Sequence, residues 1–378
     1  MRLTERQLNR TLLRRQLLVE REPVGVVQAV RRLVGLQAQQ AAAPYVALWN
    51  RIAGFDPAEL DAAFAQHRIV KATLLRITLH AVAADDRPVF HRAMVPTLRA
   101  ARLGDARFTR TGLTSAEADA SVADLLTFLA EPRSNAEVDT FFVGRFPDLP
   151  ETSPWWALRS YAPLIHAPGA HPWSFGHRPS YLAAPAPSTA SEAVDAEAAM
   201  VELARRYLAS YGPATPADLA QFSTLYRPPA KQAFADLSDE LVEHTGPDGK
   251  PILDLAGAVL AEEDLEAPPR LLGMWDNALL AHTDRGRLIP AEHRPTVIRR
   301  NGDVLPMLLV DGYVAGVWRP VERGIEATAF RRLPAAVWEG LAAEADSLTA
   351  MLADREPLVF GRYGHWWKTI DGAQVKVL

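Results

Sequence analysis

Along the first part of the chain, apolar residues recur at helical spacing, broken by short polar or glycine-containing links. Leu8, Leu12 and Leu13 follow the N-cap residue Thr4, which predicts a helix over 5–16. Val24, Val27, Val30, Leu33 and Val34 predict a second, roughly 23–34, opened by Pro23 and stopped at Gly35. A third is expected over about 40–52 and a fourth over 57–66, after Asp56-Pro57. From Ile69 to Val82 the pattern turns β-rich, with Arg76 and Thr78 in its middle. Short helices followed by a hairpin give the order of a winged helix.

That order returns. Helices are predicted over 115–131, 134–146 and 154–164, then a Gly/His/Pro-rich stretch of strand character at 166–182 reads as a second wing. Residues 185–188 read as a linker. Beyond it we expect a long helix over 190–210 and short helices at 217–223 and 228–236. A hairpin pairs 241–245 with 251–255 through Gly246-Pro247-Asp248-Gly249. Strands are expected at 295–300, 304–310 and 313–319, then a helix over 334–353 and an aromatic-basic tail. The expected fold class is therefore α+β, mainly helical. Three tandem winged-helix units would cover 1–110, 111–186 and 187–378. No repeat of fixed period accompanies them, so the triplication rests on element pattern alone.

Composition narrows the chemistry. The 378 residues are 48% hydrophobic and 23% charged, the balance of a soluble globular protein with an ample core. No apolar run reaches the length of a membrane span, and the start lacks a signal-like stretch, so a cytoplasmic protein is expected. There is no cysteine, which removes thiolate nucleophiles, disulfides, cysteine-bound zinc and iron–sulfur clusters. Net charge is −4, but residues 1–32 carry eight arginines against three glutamates. Arginine dominates the basic residues, since lysine occurs only at 71, 231, 250, 368 and 376. That bias fits phosphate forks and equally fits a GC-rich genome. Dinucleotide, P-loop, zinc-protease and serine-hydrolase motifs are absent. His166, His171 and His177 match no common ligand spacing, so neither metal nor cofactor is expected.

The distinctive segment is Gly35-Leu36-Gln37-Ala38-Gln39-Gln40, where one helix must end and the next begin. In an extended link Gln37 and Gln39 share a face, while Leu36 and Ala38 face the core. Two carboxamides supply donors and acceptors with no charge and no useful pKa. A solvated interhelical turn explains the same residues.

The order helix, helix, Gln-x-Gln, helix, hairpin, with Arg76-x-Thr78-x-His80 on the hairpin, resembles the AlkZ/YcaQ-type family of winged-helix DNA glycosylases. The resemblance extends along most of the chain. It includes Leu3-x-x-x-Gln7, the stretch Leu74–Val82 followed by Asp85-Asp86, Leu271–Asp276, and Leu308–Arg319. It implies three winged helices arranged as a C-shaped molecule around DNA, with Gln37 and Gln39 catalytic. It also implies a monofunctional glycosylase acting on N7-alkylated purines in duplex DNA. The Gln version of the motif is associated in the family with unhooking interstrand crosslinks, as in resistance to azinomycin-like bifunctional antibiotics.

An N7-alkylated purine is already cationic and leaves readily, so positioning a water can suffice without a carboxylate base. An unmodified purine should be a very poor substrate. A base tethered to the opposite strand cannot easily be flipped into a snug pocket, so catalytic groups must reach it in the groove. Candidate DNA contacts are Arg76 and His80, which would share a strand face; Lys250 on the hairpin tip; His282, Arg285 and Arg287 in one loop; Arg178 on the second wing; and Trp366 in the tail. The expected partner is double-stranded DNA carrying alkylated or crosslinked purines, met by a monomer. Two other readings compete: a winged-helix transcriptional regulator, and a protein that sequesters an alkylating drug.

Overall fold

A computed structural model describes residues 1–149, 153–185 and 195–378. Most of the expected 185–188 linker lies outside them. The chain is a mixture of helix and antiparallel sheet.

Local sequence explains where the helices begin. Thr4 and Gln7 form a reciprocal capping box for Glu5–Arg15, and Asp56 caps Pro57–Ala65. Thr114 caps Ser115–Ala120, Ser134 caps Asn135–Arg145, and Thr215 caps Pro216–Ser223. The second helix is shorter than predicted, Val26–Arg32, because Glu22 is tied in a bridge to Ile52 and holds the chain around Pro23 extended. The predicted helix over 115–131 breaks at Ser121 into Ser115–Ala120 and Val122–Phe128. A 17-residue helix, Arg87–Leu103, follows the acidic pair Asp85-Asp86.

Six strands from the first half form one sheet: β1 (Leu36–Gln37), β2 (Ile69–Thr73), β3 (Leu79–Ala83), β4 (Arg133–Ser134), β5 (Leu164–His166) and β6 (Ser180–Ala183). Their order is β1-β3-β2-β5-β6-β4, with every neighbouring pair antiparallel. The two hairpins expected as separate wings thus meet through the β2–β5 pair, at Lys71 and His166. Arg76 is not on a strand. Residues 75–77 make a tight turn between β2 and β3, and Arg76 and Ile77 take left-handed backbone angles.

The later part has the hairpin β7 (Leu241–Thr245) and β8 (Pro251–Leu255) in the expected register. A five-stranded antiparallel sheet follows: β9 (Arg270–Leu272), β10 (Met307–Val310), β11 (Tyr313–Val321), β12 (Gly324–Ala329) and β13 (Gln374–Val377). Of the strand expected at 295–300, residues 295–297 belong to a short helix, Arg294–Val297, and Ile298 makes an isolated bridge to Val304. The tail Gly361–Thr369 is 3₁₀-helical.

One hydrophobic core runs from Leu12 to Tyr363 and joins both sheets. The first helix reaches far along the chain: Asn9 donates to Gly312 O at 2.9 Å, and Arg15 pairs with Asp254 at 2.7 Å. Arg51 and Asp276 form a bidentate pair at 2.8 Å, each side chain 1% exposed. Among the described residues, no helix is long and apolar enough to cross a membrane.

Candidate active site and groove

Gln37 ends β1, opposite His80 on β3. Gly35 brings the chain there with φ +83°, and a Cβ at this position would meet Val82 Cγ1 at 2.6 Å. Only glycine satisfies both demands. The edge pairing continues one residue further, Ala38 N donating to Leu79 O at 2.7 Å. Leu36 and Ala38 are buried in the core, as alternation requires.

The two glutamines do not share one face as the extended link predicts: Gln37 is buried beside a small cavity with Asp276 and Asn277, while Gln39 is exposed on an open groove. Gln37 is buried, and its Oε1 accepts from Arg76 Nη2 at 2.9 Å. The same Nη2 lies 2.7 Å from Asn277 Oδ1 and 3.0 Å from His80 Nε2, while Arg76 Nη1 donates to Phe222 O at 3.1 Å. Asn277 in turn donates to Gly35 O at 2.9 Å. Gln39 is exposed and, among the described residues, has no side-chain partner. Gln40, not singled out by sequence, donates to Tyr363 Oη at 2.9 Å and fixes the turn against the tail.

His80 is fully buried. Its Nδ1 lies 3.1 Å from Thr78 O, so this nitrogen carries the proton and Nε2 accepts from Arg76. Burial first, then the adjacent Arg76 charge, hold its pKa well below the usual histidine value. Burial lowers the Arg76 guanidinium to about 10, leaving it charged at neutral pH. That charge polarises the Gln37 carboxamide and makes its Nε2 hydrogens better donors.

Gln39 stands at the wall of an open groove of about 750 Å³. Lys71, Leu79, His166, Trp173 and Phe175 line it, with Arg178 and Arg362 also contributing. Its one carboxylate among the described residues is Glu356, which accepts from Trp173 Nε1 at 2.6 Å. Among the described residues, the carboxylate in the cavity beside Gln37 is Asp276, paired with Arg51, and no group of three potential metal ligands occurs.

The structure thus gathers Gln37, Arg76 and His80, and adds Asn277, which sequence reasoning missed. Arg76 and His80 meet, but not through a shared strand face: the 75–77 turn folds Arg76 back over His80. Both serve internal contacts, and His80 has no surface to offer DNA. His282 is likewise closed, 3% exposed, with Nε2 2.9 Å from Tyr211 O and from Arg287 Nη1. Arg285 bonds the His282 carbonyl and is partly exposed, as is Arg287. Lys250 is exposed at the hairpin tip and paired with Asp248 at 2.8 Å. Trp366 is half-buried, donating to Asp303 at 2.8 Å under the Arg299 guanidinium. Arg178 is exposed on the groove. Apart from Arg178, which lines the same groove as Gln39, these scattered positions do not join the glutamines. Asn277 left no local signal beyond its place after Trp275-Asp276. Lys71 was visible as a lone charge in the apolar run Ile69–Ala72.

Comparison with known proteins gives the chain a family and a fold. An interstrand DNA cross-link repair glycosylase of Streptomyces sahachiroi is 34% identical over 147 residues, covering 34% of this chain. That match spans only 37% of the relative's length. The solved structure of the Streptomyces sahachiroi DNA glycosylase AlkZ superposes with a TM-score of 0.80 at 24% identity, over 95% of this chain and 99% of that one. The two therefore share a fold. The family model described as DNA glycosylase AlkZ-like matches residues 30–351, most of the chain, and the protein belongs to that family.

Proposed function

We propose that the protein is a DNA glycosylase that hydrolyses the N-glycosidic bond of N7-alkylated purines, including those in interstrand crosslinks. The observation that carries this reading is the uncharged pair itself: Gln37 held by Arg76, Gln39 at the groove, and, among the described residues, only the partnered carboxylates Asp276 and Glu356 in their two cavities. Such a site cannot extract a proton strongly, so its substrate must be a base that nearly leaves unaided. A cationic alkylpurine is that base.

The geometry divides the work. Gln39 Oε1 has no partner among the described residues and accepts a hydrogen bond from the attacking water. Gln37 Oε1 is engaged by Arg76, so Gln37 acts through its Nε2 hydrogens, orienting that water or the lesion. Arg76, His80 and Asn277 position Gln37 without touching substrate. The open groove suits a lesion that stays near the duplex, because a tethered base could not enter a closed pocket. The relative named for cross-link repair supports extending the reading to crosslinks.

For the architecture we propose three winged-helix units, 1–110, 111–186 and 187–378, arranged as a C around duplex DNA and acting as a cytoplasmic monomer. Helix-then-hairpin order in each supports this. Arg178 and Lys250, which are exposed, and Arg285, Arg287 and Trp366, which are partly exposed, are the DNA contacts we retain.

The test uses a duplex with one N7-methylguanine, and a second with an N7-linked interstrand crosslink. Hot alkali after incubation should reveal strand scission at the lesion in the first, and separated strands should appear in the second. Scission no faster than spontaneous depurination would overturn the activity. Wild-type single-turnover rates in both Gln37→Ala and Gln39→Ala would overturn the site.

A further inference from the structure

Lys71 is unexplained by the roles above. It sits mid-strand on β2 between Val70 and Ala72, and only 5% of it is exposed. Among the described residues its amine has no hydrogen-bond acceptor and no carboxylate within ion-pair distance; burial alone shapes its acidity. Its close neighbour is the Phe175 ring, 4.6 Å away. An ammonium buried without a counter-charge is costly, and β2 needs no charge for its pairing. The side chain lines the same groove as Gln39.

Hydrolysis at Gln39 leaves a sugar whose C1′ is a hemiacetal in equilibrium with an open-chain aldehyde. Once the base is gone, nothing tethers that sugar to the opposite strand, and it can turn into the groove. A desolvated lysine is the side chain suited to condense with an aldehyde. Burial lowers the Lys71 amine to about 8, so roughly one in ten is unprotonated at pH 7. A phosphate anchor would sit at the rim, where Arg178 and Arg362 are exposed; Lys71 lies below it.

We propose that Lys71 captures the abasic product as a reversible imine at C1′, so that the groove beside Gln39 is also a product-holding site. The inference rests on the glycosylase reading. The nitrogen lone pair forms the C1′–N bond, the carbonyl oxygen departs as one water, and hydrolysis returns amine and aldehyde, with no oxidant or reductant. Strand cleavage does not follow, because elimination needs a base at C2′. His166, next to Lys71 across β2–β5, is a weak base because burial lowers its pKa to about 3, and Glu356 already accepts from Trp173.

The experiment uses the full chain and a duplex with a preformed abasic site, so excision is not required and failure of the glycosylase reading stays separate. Sodium borohydride added during incubation should reduce the imine to a stable protein–DNA adduct. Trapping should rise between pH 7 and pH 9 as the amine loses its proton. Peptide mapping should place the adduct on Lys71, and Lys71→Met should lower its yield about tenfold or more. Thermal unfolding of Lys71→Met, compared with wild type, shows whether the variant is folded. If it is not, the mapped wild-type adduct decides. No adduct with wild type, an adduct on the N-terminal amine or another lysine, or weaker duplex binding by folded Lys71→Met without any trapping would each overturn the proposal.

Discussion

Arg76 donates from Nη2 to Oε1 of Gln37 at 2.9 Å, and so gives the first glutamine a protein partner and leaves the second, Gln39, to solvent. Gln37 and Gln39 are two residues apart and chemically identical, yet only Gln39 keeps an open acceptor. The division comes from a residue 39 positions later in the chain, folded back by the left-handed turn at Arg76 and Ile77.

The two alanine variants should therefore separate in stability even where both lose excision. Gln37→Ala takes an acceptor from a partly buried guanidinium and should cost about 1–2 kcal/mol. Gln39→Ala removes an exposed, unpartnered side chain and should stay within about 0.5 kcal/mol of wild type. Urea unfolding beside single-turnover excision measures both. Equal stability losses would contradict the clamp.

Arg76→Met should lower excision without changing the salt dependence of duplex binding, because its charge is spent on Gln37, Asn277 and Phe222 O. Arg178→Ala should reduce the slope of log affinity against log salt by about 1, the signature of one phosphate contact. Titrations at several salt concentrations decide it. A reduced slope in Arg76→Met would return that residue to the DNA surface.

Acid should weaken the fold before carboxylates protonate. His80, His91 and His166 have folded pKa values below the unfolded value near 6.5, the latter two at about 3. The unfolded chain then takes up protons first. Stability is complete above about pH 6.5 and falls as pH drops toward 3, by up to about 1.4 kcal/mol per pH unit for each histidine. Denaturation midpoints at pH 7.5, 6 and 5 should decline in order. A flat profile across that range would mean these rings are not held neutral.

Asp276→Asn should destabilise by about 3–5 kcal/mol, because it strips the counter-charge from fully buried Arg51. Asp276 also accepts from Ala278 N at 3.1 Å, seating the turn that carries Asn277. Excision at a temperature where the variant remains folded should fall with it. Near-wild-type stability would show that this pair does not hold the turn.

The features legible in the sequence were those set by neighbours a few residues apart. Thr4 with Gln7, Asp56 with Pro57 and Thr215 with Pro216 mark true helix starts, because caps bond within one turn of backbone. The Gly246–Gly249 turn likewise announces its own hairpin. Gly35 was expected to stop the second helix, but that helix ends at Arg32 and Val34 takes the first left-handed position, with Gly35 closing the turn onto Val30 O; alternation placed Leu36 and Ala38 inside. What lay beyond reach depended on distant partners. Nothing near Arg76 indicates Phe222 and Asn277, nothing near Lys71 indicates Phe175, and His282 looked like a loop residue until its burial against Tyr211 closed it off. Backbone caps and turns are local in energy and so are written in adjacent residues. Which carboxamide stays free, and which lysine is buried, are decided by packing segments far apart in the chain, and only the folded molecule sets them.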